Sequence, residues 1–266
     1  VPIPNPDDGT VDLIYEVEET AADEIELSGG WGYGRIIGTL GLSFNNFSTR
    51  NILNRQAWRP VPTGDGQKLS IRLQSYGTGY ISYSASLTEP WFGGKKPNSL
   101  TLSYYHSLFS NGLSRKNENF ASFKIDGFSV ILGKRLQWPD DYFVLIQNLS
   151  LQRYVLNNYG TVFSFGTGNG EYNSINYGVS FGRKSVDQPI YPRTGSDFTL
   201  SLTATPPYSW FSNKDYKSMA DEKKFKWMEY HKWNFSSSWY QAVYGDLVIS
   251  LRARYGFLGL YNRDIG

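Results

Sequence analysis

Long runs in which every second residue is apolar dominate this chain and restrict what it can fold into. Ile81, Tyr83, Ala85 and Leu87 alternate with Ser82, Ser84, Ser86 and Thr88. Phe198, Leu200, Leu202 and Ala204 alternate with Thr199, Ser201, Thr203 and Thr205. The same pattern covers 69–74, 143–152, 175–182 and 247–255. A period of two sends successive side chains to opposite faces of a strand, so each run places one face in an apolar medium and the other in a polar one. With their flanks the runs reach about 10–14 residues, whereas strands of globular proteins average about 5–6.

A soluble sandwich shows the same alternation with its apolar face turned inward. Run length and the placement of aromatics favour a transmembrane antiparallel β-barrel instead. Trp91-Phe92, Trp138 with Tyr142-Phe143, Tyr208 to Phe211, Trp239-Tyr240 and Tyr244 all fall at run ends. Two interfacial girdles of a membrane barrel have that distribution. No stretch of about 18 apolar residues exists to make a membrane helix, but a spanning strand needs only about 9–11 residues. The 26 Lys and Arg against 24 Asp and Glu leave a formal charge of +2, which argues against nucleic acid held by phosphate neutralisation. The absence of Cys removes disulfides, thiolate nucleophiles and Cys-ligated metals.

The alternation predicts an all-β chain of about eleven strands over 24–33, 35–46, 67–78, 79–90, 98–109, 121–136, 142–156, 173–185, 196–207, 225–241 and 246–259. Most connections alternate short and long, as in outer-membrane barrels. The segments 33–35, short, and 47–66, long, break that rule. In the long connection 208–224, Ser218-Met219-Ala220-Asp221 reads as a weak helix cap. Val11 to Glu19 alternates too, but its polar face is mostly acidic, which suits a soluble module. The expected division is therefore 1–22, the tail of a preceding domain, and 23–266, the N-terminal part of a barrel. The opening Val1-Pro2, without Met, reads as a processed or truncated start.

Several segments resemble the Omp85 superfamily. Val11-Asp12-Leu13-Ile14-Tyr15-Glu16-Val17-Glu18-Glu19 is similar to the last strand of the final periplasmic POTRA domain. Glu24 to Tyr33, with Gly29-Gly30-Trp31-Gly32, resembles the first barrel strand. Leu87-Thr88-Glu89-Pro90-Trp91-Phe92 resembles the close of the fourth strand. Pro189-Ile190-Tyr191-Pro192-Arg193-Thr194-Gly195-Ser196 resembles the turn between strands eight and nine, and Arg252-Ala253-Arg254-Tyr255-Gly256 the end of strand eleven. Glu89, Pro90, Trp91, Phe92, Tyr191, Pro192, Gly195 and Ser196 thus stand at family turn motifs. The chain resembles the barrel-assembly branch most, with TamA-like and two-partner-secretion translocators as siblings. The family's Arg-Gly-aromatic tripeptide of the sixth extracellular loop does not occur. By strand count the chain ends where that loop would begin, so the resemblance implies that these strands belong to a larger, sixteen-stranded barrel.

The resemblance implies a protein of the bacterial outer membrane that inserts other barrels through a lateral seam. Its partners would be outer-membrane lipid, client β-barrel proteins and periplasmic or lipoprotein accessory subunits. The pairing edge would be Glu24, Ile25, Glu26, Leu27, Ser28, Gly29, Gly30 and Trp31. Exposed backbone there can accept a client strand by β-augmentation. Glycines weaken the local ladder, unless they serve only a bend in the wall. Ile25 and Leu27 would face lipid, and Arg72, Gln74, Arg252 and Arg254 the lumen. A translocator of the same superfamily, a passive porin and a soluble carbohydrate-binding sandwich are the competing readings.

Catalytic chemistry has little support. His106 has no carboxylate near it in sequence, and His231 reads as strand surface. Asp140-Asp141 fits a turn after Pro139 and lacks calcium-ligand spacing. Gly166 to Gly170 lacks the Lys-Ser/Thr of a phosphate loop. Asn46, Asn148 and Asn234 each begin an Asn-X-Ser triplet inside or at the end of an expected strand and read as chance. No enzyme activity, cofactor or metal is expected.

Overall fold

In the computed structural model, residues 2–5, 10–13, 23–32, 35–94, 96–160, 168–212 and 214–264 are described. Strands β1 (Pro2–Asn5) and β2 (Thr10–Leu13) form an antiparallel ribbon. The expected POTRA-like segment continues over 14–19, outside the described residues. The strands that follow are β3 (Glu24–Gly32), β4 (Arg35–Phe47), β5 (Gln67–Tyr76), β6 (Tyr80–Glu89), β7 (Asn98–Ser110) and β8 (Ser122–Arg135). Then come β9 (Phe143–Asn157), β10 (Gly170–Lys184), β11 (Gly195–Ala204), β12 (His231–Tyr244) and β13 (Leu247–Gly259). They make one eleven-stranded antiparallel sheet in strict chain order, from β3 at one edge to β13 at the other. The sheet is open.

Register carries the alternation across the whole sheet. Leu27, Leu40, Leu73 and Tyr83 form one continuous row, as do Leu102, Val130, Leu149 and Tyr177. Both rows lie on the same, apolar face. On the opposite face hydroxyls pair between strands: Ser43 with Ser70 at 3.2 Å, Ser82 with Ser107 at 3.0 Å and Thr88 with Thr101 at 2.9 Å. Large apolar side chains stay exposed on the first face, where an ordinary soluble sheet would cover them. Lipid is the medium that covers such a wall. Charged groups bound it. On β10, Ile175, Tyr177, Val179 and Phe181 lie between Glu171, paired with Arg153 at 2.8 Å, and Arg183, paired with Asp140 at 2.8 Å.

The packed core sits on the polar face, at the end of the long connections. Phe123, Leu156 and Tyr172 are buried there, and Phe225 and Met228 of the β11–β12 connection pack onto them. This explains the main departure from the expected boundaries. Residues 225–230 were expected to open a strand over 225–241, but β12 begins at His231. Asn173 donates its N–H to the Lys226 carbonyl and accepts from Met228 N–H, a parallel bridge that sets 226–228 along the edge of β10 beyond the end of β11. A helical turn exists at Asp221–Lys224, but Ser218 does not cap it. Its N-cap is Ala220, and Ser218 Oγ donates to Asp215 instead.

Candidate functional site

Among the described residues both outer strands of the sheet, β3 and β13, have one neighbour. Among the described residues β3 pairs with β4 and no other strand. Its apolar residues are among the most exposed in the chain: Ile25 at 75%, Leu27 at 81% and Trp31 at 73%. Ile25 and Leu27 share the face of Leu42 and Leu40, the apolar wall. Glu24, Glu26 and Ser28 share the face of Ser43, Gly41 and Thr39.

Glycines enter β3 and β4 for different reasons. In β4, Gly41 is a close approach. A Cβ there would lie 3.2 Å from both the Cβ and Oε2 of Glu26. Its absence lets the Glu26 carboxylate cross β4 and meet Arg72 Nη2 on β5, at 2.7 and 2.6 Å. In β3 a Cβ on Gly29, Gly30 or Gly32 would find its nearest neighbour at 3.6–3.9 Å, ordinary contact, and no left-handed φ demands glycine. Among the described residues nothing crowds these three positions. Their effect is on the ladder: the directly opposed pair Gly29 and Gly38 contributes no cross-strand side-chain contact. On the apolar face that pair leaves an open groove lined by Leu27, Trp31, Leu40 and Leu73.

The other residues singled out in the sequence are scattered along the sheet. Arg72 and Gln74 stand opposite Ser84 and Ser82, and Arg252 and Arg254 opposite Ser238 and Ser236, all on the polar face. Only Arg72 reaches β3. Glu89 accepts from Gln67 Nε2 and from the Trp91 N–H, both at 2.9 Å, so it ties the turn at Pro90, Trp91 and Phe92 to the base of β5. In the β10–β11 turn, Asp187 accepts from the backbone N–H groups of Arg193 and Thr194. Desolvation pushes its carboxyl upward, but those N–H bonds outweigh it and hold the acid below its ordinary value. Tyr191 has a positive φ beside Pro192. Gly195 is compulsory, since its φ is +102° and a Cβ would collide with the Ser185 carbonyl. Ser196 Oγ accepts from Arg183 at 3.0 Å.

Two clusters escaped the sequence reading. His106 does have a carboxylate partner: Nδ1 lies 2.7 Å from Asp126 Oδ1 on the next strand, with the ring stacked on Tyr83. The partners stand twenty residues apart and meet only through the β7–β8 register. In the β11–β12 connection, buried Glu229 accepts from the N–H and Oγ of Ser209 and pins that loop. Among the described residues no three His, Cys, Asp or Glu side chains converge as a metal site would require.

Comparison with known proteins places this architecture. No curated protein matches the chain. The crystal structure of BamA from Haemophilus ducreyi lacking POTRA domains 1–3 superposes with a TM-score of 0.58 at 18% identity, over 98% of this chain and 46% of that one. The likeness is one of fold, and this chain spans less than half of that structure's length. The Omp85 superfamily domain matches residues 63–264, well over half of the sequence. The chain belongs to the Omp85 superfamily.

Proposed function

We propose that this chain is the seam-bearing part of an outer-membrane protein insertase, with β3 as the strand that receives a client. The observation that carries the reading is the condition of β3. It carries a glycine pair where a cross-strand contact would be, and none of the described residues crowds its glycines. In lipid each unsatisfied backbone group costs several kcal/mol, so an edge strand must be paired. A weak, exchangeable partner satisfies it and still leaves the backbone available to a client's terminal strand by β-augmentation. The reaction needs no catalytic side chain, cofactor or metal. Burial of the client's apolar face and satisfaction of its backbone supply the free energy. Partners are outer-membrane lipid, client barrels and the periplasmic or lipoprotein subunits of an assembly complex.

A lumenal translocator of the same superfamily is the second reading, and the arginines on the polar face favour it. The packing of Phe225 and Met228 over β8–β10 counts against axial traffic on that side of the lumen. The test is a reversible disulfide between β3 and the last strand of the complete barrel, read by insertion of a model client into liposomes. Loss of insertion, restored on reduction, supports the seam. Insertion at the unlinked rate removes it.

A further inference from the structure

We propose that the β4–β5 connection, residues 48–66, is a rigid membrane anchor that seats on anionic phospholipid at the short-turn end of the barrel. The proposal rests on the membrane reading of the sheet and is independent of the seam.

The connection is long where its neighbours at that end are short, yet it is tightly built. Ser48, fully buried, donates Oγ to Asp65 at 2.7 Å and accepts from the Asn51 N–H at 3.1 Å. Thr49 N–H donates to Gln67 Oε1 at 2.9 Å, and Gln67 Nε2 donates to Glu89 at 2.9 Å. That chain of bonds couples the connection to the Trp91-Phe92 turn. The chain Asn54–Ala57–Thr63 closes the other end through backbone hydrogen bonds. The order is thus in place before any partner arrives.

What this scaffold presents is apolar and cationic together. Leu53 is 95% exposed, and Ile52 and Trp58 are exposed beside each other, with Trp58 Nε1 donating to the Ile52 carbonyl at 3.2 Å. Trp91 and Phe92 extend the exposed aromatic surface on the adjoining turn. Arg50, Arg55 and Arg59 are exposed and form no ion pair among the described residues. The segment's only acid, Asp65, is occupied by Ser48. Exposed indole and leucine flanked by arginines match a bilayer surface, where the rings sit at headgroup depth and the guanidinium groups meet phosphate. Strands β4, β5 and β6 carry the lipid-facing wall directly to this spot.

The chain contains no Cys, so a nitroxide can be placed alone on it. The full-length protein carrying Leu53→Cys, in a background without other cysteines, is reconstituted in phosphatidylcholine vesicles with or without phosphatidylglycerol. Collision with oxygen and with a water-soluble nickel chelate is then measured. The oxygen-to-nickel accessibility ratio is expected to rise severalfold when phosphatidylglycerol is present. It should fall back with Arg50→Gln, Arg55→Gln and Arg59→Gln combined, a variant whose unpaired side chains leave the fold intact. An aqueous label in both vesicles overturns the proposal. So does shielding from both reagents, which would put protein on this surface. A second label, at Ile71→Cys on the wall, separates the two readings: oxygen-rich at Ile71 with water at Leu53 ends the anchor alone, and water at both ends the membrane reading as well.

Discussion

Glu26 on the first strand and Arg72 on the third are joined across the glycine between them. The carboxylate passes over Gly41 and meets Nη2 of Arg72 with both oxygens. The pair is about half exposed on each side, at 49% and 54%, so solvent screens it and its worth is about 0–1 kcal/mol. Its role is registration: it ties β3 to β5 on the polar face without touching the outer edge.

Four variants test that relationship. Glu26→Gln should lower stability by less than about 1 kcal/mol in a denaturant titration of the full barrel. Arg72→Glu should cost more, because it sets like charges face to face, and Glu26→Arg combined with Arg72→Glu should recover most of the loss. Gly41→Val should part Glu26 from Arg72, since its side chain takes the path of the carboxylate, with the gain in strand preference offsetting the lost pair. Additive costs in the double mutant would show that the two residues do not interact.

The glycines of β3 should behave differently from Gly41. A Cβ at Gly29 would meet nothing among the described residues nearer than the Ile37 carbonyl at 3.9 Å. A β-branched residue favours the strand over glycine by up to about 1 kcal/mol. The expected outcome is a barrel of equal or greater stability with slower client insertion. A variant that is less stable, or equally active, would assign these glycines to the shape of the wall.

The apolar and polar faces can be told apart by adjacent residues. Leu202 lies in the row of Val179 and Trp233 on the apolar face, and Thr203 faces Gly178 and Lys232 on the other side. Leu202→Arg should cost roughly 2–4 kcal/mol and Thr203→Arg much less, measured by folding into vesicles. Equal costs would invert or abolish the assignment.

The strands were legible because their period is a property of local sequence, and lipid on one face leaves it unbroken over whole spans. Ile81 to Thr88 could hardly be read otherwise. Polar pairs across strands were not legible: Glu26 with Arg72 and His106 with Asp126 depend on register, which no short window encodes. Residues 225–230 misled because apolar side chains that plug the sheet and those that face lipid look alike in sequence. The Ser218 cap failed since Asp215, three residues earlier, competes for the hydroxyl. The turn motifs were visible as residues. Their reasons were visible only in place, such as the Ser185 carbonyl that forbids a side chain at Gly195.

Asp187 offers a pH test outside the membrane. Its folded value is held below the ordinary carboxylate value of about 3.9, so it stabilises the turn above that pH and stops doing so as pH falls through the folded value. Asp187→Ala should loosen 187–194 near neutral pH, seen as faster amide exchange at Arg193 and Thr194. The difference from the parent should vanish in strong acid. A pH-independent difference would mean that packing, not the charge, holds the turn.

The most direct measurement of the seam is disulfide capture of a stalled client. Single cysteines placed in turn from Ile25 to Gly30 of the complete protein are oxidised against single cysteines in the client's terminal strand. The seam mechanism predicts crosslinks that step one residue on the client for each residue on β3, in a single register. Capture at Arg252 or Arg254 on the polar face, with none along β3, would contradict it and place the client's route through the lumen.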